Sequence, residues 1–288
     1  MSKPKILIQL DSDPHPSVFD AVVATDAGVD RLLQYGSVEP AAVRDLVHGA
    51  IFTRGPQDLM NTAIFIGGSS VKAGEELLAQ ATAAFFGPMR VSVLLDANGA
   101  NTTAAAAVLA AAKHIDLRGT AAAVLGGTGP VGERAARLLA RQGASVRVGS
   151  RDRQRAAEAC QRIAERVAGA QLTPVQCGSA QEIAAALDGA QLVITAGAAG
   201  VELLPADIRH DCGTLRVAID LNAVPPGGIA GIEATDKAKE RDGLICYGAI
   251  GVGGTKMKIH RAAIGRLFTA NNLVLDAEEV FQIGKELS

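Results

Sequence analysis

Aromatic side chains are scarce: they make up 3% of the 288 residues, with two tyrosines, seven phenylalanines and no tryptophan. A surface that stacks the bases of a single strand needs such rings, so this chain is a poor candidate for one. Strong charge of either sign is also missing. The formal net charge is −2, which leaves no basic footprint for nucleic acid. No apolar run reaches the ~18 residues of a membrane span without a glycine or a charge. The opening MSKPKILIQLD turns into a strand within a few residues and has neither the apolar stretch nor the small-residue cleavage site of a secretory signal. Cysteine is limited to Cys160, Cys177, Cys212 and Cys246, scattered and without a C-x-x-C pair. They read as buried thiols of a reducing cytoplasm, and no metal site is expected. No H-E-x-x-H, nucleophile elbow or paired-histidine signature occurs.

What is present is strand–helix alternation from end to end. Apolar runs at 6–10, 63–67, 91–95, 121–125, 144–149, 172–175, 192–195 and 217–221 predict strands. Helical periodicity marks 17–26, 40–51, 73–85, 102–113, 133–141, 153–167, 180–187, 256–269 and 277–286. Such alternation predicts parallel sheets and an α/β fold of two domains. The segment at 98–103, Asn98-Gly99-Ala100-Asn101-Thr102-Thr103, breaks the pattern. The expected division is therefore 1–101 and 102–270, with 271–288 a candidate to rejoin the first domain.

The densest signal is Gly127-Thr128-Gly129-Pro130-Val131-Gly132. A G-x-G-x-x-G alone means little in a glycine-rich chain. Here it follows a buried strand and opens a helix that leads to a second strand, which is the context a dinucleotide site requires. Gly127 is expected to permit the tight turn, Gly129 to let a pyrophosphate approach, and Gly132 to let the helix pack on the strand. Pro130 suits the first helical turn, whose free N–H groups and partial positive charge favour phosphate.

The second strand ends Gly149-Ser150-Arg151, with Arg153 and Arg155 beyond. No carboxylate stands at its tip to accept from a ribose 2′-OH, and a guanidinium suits a 2′-phosphate. NADP is therefore favoured over NAD, with Ser150 a further donor. Asp152 is placed to cap the next helix. Arg153 and Arg155 read equally well as phosphate ligands or as a solvated helix face. After the later strands, Ala196 and Gly197 leave room for a nicotinamide ring, and Asn222 is a further candidate for the cofactor.

Candidates for a second substrate are Asp20, Thr53, Arg54, Asp96, Asn98 and Thr102. Capping also accounts for Asp11, Asp13 and Asp20, and a surface turn accounts for Thr53-Arg54. Lys256 follows the run Gly251–Gly254 at the expected start of a helix, where the macrodipole disfavours a cation; it is either functional or a solvated lysine. Lys258 and His260 read as structural or solvated.

Taken with FDAVVATDAG at 19–28, IFTRGPQD at 51–58, TAIFIGG at 62–68, LLDANGANTTAAA at 94–106, VLGGTGPVG at 124–132, LNAVPPGGIAGIEATDKAKE at 221–240 and GAIGVGGTKMKIHRAAIGRLF at 248–268, these motifs form a set. The chain resembles, nearly end to end, the NADP-dependent methylene-tetrahydromethanopterin / methylene-tetrahydrofolate dehydrogenases of methylotrophic bacteria. The resemblance implies a Rossmann NADP domain, an N-terminal parallel-sheet domain for the pterin, and a cleft between them. It also implies a homotrimer or homohexamer, with Lys256 matching the active-site lysine and Arg151 the arginine after the second strand. A sister group that uses either NAD or NADP lacks the G-T-G-P loop, so the chain sides with the NADP-specific group. The implied reaction moves a hydride from the pterin methylene to nicotinamide C4, which asks for two aligned rings and no general base. The rival readings are a shikimate-type or amino-acid-type dehydrogenase, which would pair Lys256 with an aspartate, and an NADP-binding sensor without catalysis.

Overall fold

A computed structural model describes residues 3–287. In chain order the elements are β1 (Ile6–Leu10), α1 (Val18–Asp26), β2 (Arg31–Tyr35), α2 (Pro40–Ile51), β3 (Thr62–Ile66), α3 (Val71–Ala83), β4 (Ser92–Leu95) and α4 (Ala100–Ala112). Then follow β5 (Ala121–Leu125), α5 (Pro130–Arg141), β6 (Ser145–Ser150), α6 (Arg153–Arg166), β7 (Gln171–Gln176), α7 (Ala180–Leu187), β8 (Leu192–Thr195), α8 (Ala206–Asp211) and β9 (Val217–Asp220). The chain ends with β10 (Lys237–Arg241), β11 (Leu244–Tyr247), α9 (Ala249–Arg266), β12 (Val274–Leu275) and α10 (Ala277–Glu286).

Two compact units result, Met1–Thr102 with Met257–Ser288, and Thr103–Lys256. The C-terminal return to the first unit thus starts at Met257, within α9, and not at the expected residue 271. The glycine run is the reason. Residues 251–254 are helical, so one continuous helix carries the chain out of the second unit. Cβ atoms built at Gly248 and Gly251 would fall 2.1 Å from the Glu233 carbonyl oxygen and 1.7 Å from that of Asp236. The glycines therefore let α9 start flush against a neighbouring backbone, and packing overrides their poor helix propensity.

The first unit holds a sheet of order β12-β4-β3-β1-β2 whose paired strands are all parallel. Its core strands β3 and β4 are buried at every residue. Edge strand β2, RLLQY, is mostly exposed and lacks alternation, and β12 has only two residues; neither was expected from the pattern. The second unit holds β10-β11-β9-β8-β5-β6-β7, parallel except for the hairpin β10–β11. Ala123, Leu125, Val193, Ala218, Leu204 and Leu244 belong to a buried cluster on this sheet. In both sheets the strand order reverses beside the first strand of the unit, between β1 and β3 and between β5 and β8. Open α/β sheets bind ligands outside the carboxyl ends of their strands at such reversals.

Candidate functional site

In the second unit the reversal point opens into a cavity of about 510 Å³. Of the expected cofactor residues, Thr128, Gly129, Pro130, Ser150, Arg151, Ala196 and Gly197 line it. Gly129 is the N-cap of α5 and Pro130 its first residue, so the free N–H end of the helix opens on the cavity. A Cβ on Gly129 would meet nothing in the protein closer than 3.5 Å. The space over its backbone is left open, as a cradle for pyrophosphate needs.

The tight turn falls one residue earlier than the motif suggested. Gly126 has φ +77, whereas Gly127 is not left-handed. A Cβ on Gly126 would lie 2.8 Å from the Gly197 nitrogen, so this glycine also lets the loops after β5 and β8 touch. Gly127 instead clears Val148 of β6 and Gly132 clears the Gly126 carbonyl, at 2.8 and 2.4 Å from a built Cβ. Gly127, Val131 and Gly132 do not line the cavity: the two glycines shape the turn, and Val131 sits on the first turn of α5. The doubled glycine Gly126-Gly127 was the sequence signal that could have found the true turn.

At the β6 end stand Ser150, Arg151 and Arg155. The Asp152 side chain accepts from the Gln154 and Arg155 backbones and caps α6, as expected. Ser150 Oγ accepts from the Asp152 N–H at 3.2 Å, which leaves its own proton free to donate. The helical phase set by this cap turns Arg155, and not Arg153, to the cavity; Arg153 stays on the exposed face. Cys177 also lines the wall. Burial, and then the Glu182 carboxylate, push its thiol up to about 11, so it stays protonated at neutral pH. No carboxylate other than Asp152 lines this cavity, and Asp152 is committed to its cap. A phosphorylated dinucleotide fits this donor set: open helix N–H groups at one point and two guanidinium groups at another.

Asn222 lies behind the lining and is 8% exposed. Its Oδ1 accepts from the Gly200 and Val224 N–H groups at 3.4 and 3.1 Å, and its Nδ2 donates to the Ala198 and Pro226 carbonyls at 3.4 and 3.3 Å. It braces loops, and its polar atoms are engaged there.

In the first unit, the β1–β3 reversal gathers Asp11-Ser12-Asp13 and Gly67-Gly68-Ser69. Asp11 accepts from the Asp13 and Ser17 N–H groups at 2.9 and 3.3 Å, and Asp13 accepts from the Ser69 N–H and hydroxyl, each at 2.9 Å. Asp20 borders this corner: its carboxylate is 3.9 Å from His260 Nε2, and a Cβ on Gly67 would be 3.5 Å from it. His260 is buried, with Phe19 and Phe65 ring centroids at 6.2 and 5.6 Å. Asp96 and Thr102 are both buried. Asp96 accepts from the Asn101 and Thr102 N–H groups at 3.0 Å and from the Thr102 hydroxyl at 2.6 Å, holding the first turn of α4. Asn98 is exposed at φ 55, its N–H donating to the Gly68 carbonyl at 2.6 Å.

Two expectations fail on position. Arg54 Nη1 donates to the Pro4 and Asn61 carbonyls at 3.1 and 2.9 Å, just ahead of β1 and β3. Thr53 bonds the Ala50 carbonyl at the end of α2. Both therefore sit at the amino edge of the sheet, away from the strand ends where ligands bind. Lys256 is half-buried and lies about two turns inside α9, not at the helix start, so the macrodipole does not disfavour it as expected. Among the described residues no group of three or more His, Cys, Asp or Glu side chains is arranged to hold a metal ion, and no helix is long and apolar enough to cross a membrane.

Residues 18–98 match the family model described as methylene-tetrahydromethanopterin dehydrogenase, N-terminal. The chain is 45% identical over 290 residues, spanning 100% of both sequences, to the "Bifunctional protein MdtA" of Methylorubrum extorquens. It is 33% identical, over 98% of each chain, to the NAD(P)-dependent methylenetetrahydromethanopterin dehydrogenase of the same organism. Among solved structures, shikimate 5-dehydrogenase from Listeria monocytogenes aligns with TM-score 0.55 and 14% identity over 99% of this chain and 96% of that one. Quinate dehydrogenase from Corynebacterium glutamicum aligns with TM-score 0.51 and 16% identity over 99% and 100%. These last two likenesses speak to the fold alone. Near-complete alignment with the two Methylorubrum sequences places the chain in the methylene-tetrahydromethanopterin dehydrogenase family.

Proposed function

We propose that this chain is an NADP-dependent dehydrogenase of one-carbon metabolism. It takes a hydride from the methylene group of methylene-tetrahydromethanopterin, methylene-tetrahydrofolate or both, and yields the methenyl pterin and NADPH. Family membership supports the reaction type. The observation that carries the cofactor choice is the end of β6, where Ser150, Arg151 and Arg155 line the cavity and no free carboxylate does.

In this reading the dinucleotide, when bound, supplies the hydride acceptor at nicotinamide C4. The N-terminus of α5 and the loop at Gly126–Gly129 hold its pyrophosphate. Arg151 and Arg155 pair with the 2′-phosphate, with Ser150 donating beside them. Ala196 and Gly197, small and without polar side chains, leave a flat wall for the ring. The polar corner after β1 and β3, with Asp20, is assigned to the pterin. Asp96, Asn98 and Thr102 act behind it by fixing the adjoining loop. Lys256 is assigned to orienting the pterin, on its match to the active-site lysine. The methenyl product is cationic and no proton leaves the reacting carbon, so alignment is the enzyme's main contribution. A cytoplasmic homotrimer or homohexamer in a methylotrophic pathway accords with this reading.

The test is spectrophotometric. Purified protein is mixed with NADP and each methylene carrier in turn, and NADPH formation is followed. Turnover with at least one carrier is expected; none with either carrier would refute the assignment.

A further inference from the structure

On the β8–β9 side the cavity is walled by Ala196, Gly197, Ala198, Val201 and Leu203, all within segment 195–204, and this wall segment hangs on one buried carboxylate. Asp220 ends β9 and is 2% exposed. Its Oδ1 accepts from the Thr195 hydroxyl at 2.8 Å and the Asn222 N–H at 2.9 Å. Its Oδ2 accepts from the Gly228 and Ile229 N–H groups at 2.7 and 3.2 Å. Each of these partners grips the wall at a different place. Thr195 is its first residue. Asn222 holds its middle, through the Ala198 carbonyl and the Gly200 N–H. Gly228 holds its far end, its carbonyl accepting from Leu203 and Leu204 at 2.8 and 3.0 Å. Cβ atoms at Gly227 and Gly228 would lie 2.8 and 2.7 Å from the carboxylate. Only glycine lets this loop close so tightly on it.

A carboxylate without protons can accept from all four donors at once, which no neutral side chain of that size can do. In a doubly wound sheet the dinucleotide lies across the reversal point. With the 2′-phosphate end on the β6 side, the nicotinamide half falls on the β8–β9 side. We propose that Asp220 is a positioning residue for hydride transfer: through Thr195, Asn222 and Gly228 it fixes the wall that sets the nicotinamide ring, without touching either substrate. This rests on the dehydrogenase reading above. It also assigns Asn222 to the same scaffold.

Asp220→Asn is the direct test. Its amide must turn an NH2 toward one of the two donor pairs, so at least one grip fails. Three quantities are read: the affinity of adenosine 2′,5′-bisphosphate, which reports only the β6 end; the emission of bound NADPH, which reports the ring's surroundings; and turnover with the methylene carrier. The expected result is fragment affinity within about twofold of wild type, altered NADPH emission, and kcat lowered roughly 10- to 100-fold, as for a misplaced reacting group. Wild-type emission together with wild-type kcat would overturn the proposal. If Asp220→Asn fails to fold, losing fragment binding as well, Thr195→Val and Thr195→Ser decide. Val should alter emission and lower kcat while Ser, which keeps the hydroxyl, should not; two variants alike at wild-type values would overturn the proposal equally. Should wild-type protein transfer no hydride from either carrier, the functional reading fails on its own, and the emission comparison still decides the role of Asp220.

Discussion

At the scale of single residues, Arg151 and Lys256 carry the sharpest expectations. Arg151 and Arg155 line the same end of the cavity and are exposed. Charge-assisted bonding of a 2′-phosphate at this end is worth about 1–3 kcal/mol, most of it assigned to Arg151. Arg151→Ala should therefore weaken NADP by that amount and leave NAD nearly unchanged, in parallel calorimetric titrations. Equal losses for both cofactors would move the phosphate elsewhere. Lys256→Ala should lower turnover by roughly 10- to 1000-fold if it orients the pterin, with NADP affinity retained. Lys258→Ala, exposed on the same helix, is the comparison and should be nearly silent. Loss of NADP binding in Lys256→Ala would assign the lysine to the cofactor instead.

At the scale of elements, buried parallel strands were legible because burial on both faces writes them as unbroken apolar runs; β1, β3, β5, β8 and β9 are of this kind. What escaped was written otherwise. The hairpin β10–β11 turns at Asp242-Gly243, both left-handed at φ 52 and 76. That Asp-Gly pair is a strong hairpin signal, but KAKER on one flank is charged and hides the strand. The start of α9 escaped because its glycines look like loop, and only the third dimension shows the backbone they pack against. Gly251→Ala should thus cost about 1–3 kcal/mol by overpacking against Asp236. Gly254→Ala, exposed and with nothing near its Cβ, should gain about 0.5–1 kcal/mol from helix propensity. Urea midpoints of the two variants should move in opposite directions, and equal shifts would contradict the packing account.

The same hairpin carries a pH dependence. Buried Asp236 is bridged by Arg241 Nε and Nη2 at 2.6 and 2.8 Å. Those bonds, with one from the Glu233 N–H, hold its carboxyl below the ordinary range against the opposing effect of burial. A depressed folded-state pKa stabilises above the unfolded value, near 3.9, and that contribution is lost as pH falls through the folded value. Asp236→Asn should cost about 1–3 kcal/mol at pH 7 and progressively less below pH ~4. An undiminished difference in acid would contradict the ion-pair origin.

At the scale of the whole molecule, the residues proposed to hold a dinucleotide stand out as a group because the glycine loop, the helix start and the strand tip are contiguous in sequence; the fold adds that most of them line one cavity. The left-handed turn falls at Gly126, one residue ahead of the motif, and of Arg153 and Arg155, which read alike in the sequence, only Arg155 lines the cavity; both outcomes depend on φ and helical phase. The substrate residues were harder to read. Aspartates that cap, brace and bind look alike in a sequence, and it took hydrogen-bond partners to place Asp96 and Thr102 in the scaffold and Arg54 at the opposite edge. Asp220 carried no motif at all; its role is visible only when the loops around it are closed. The family's reaction and the cofactor preference of the β6 end meet in one measurement: kcat/KM for NADP and for NAD side by side, with methylene-tetrahydromethanopterin as hydride donor. An advantage for NADP of roughly 5- to 150-fold, the equivalent of 1–3 kcal/mol, is expected. Equal efficiency with the two cofactors would contradict it.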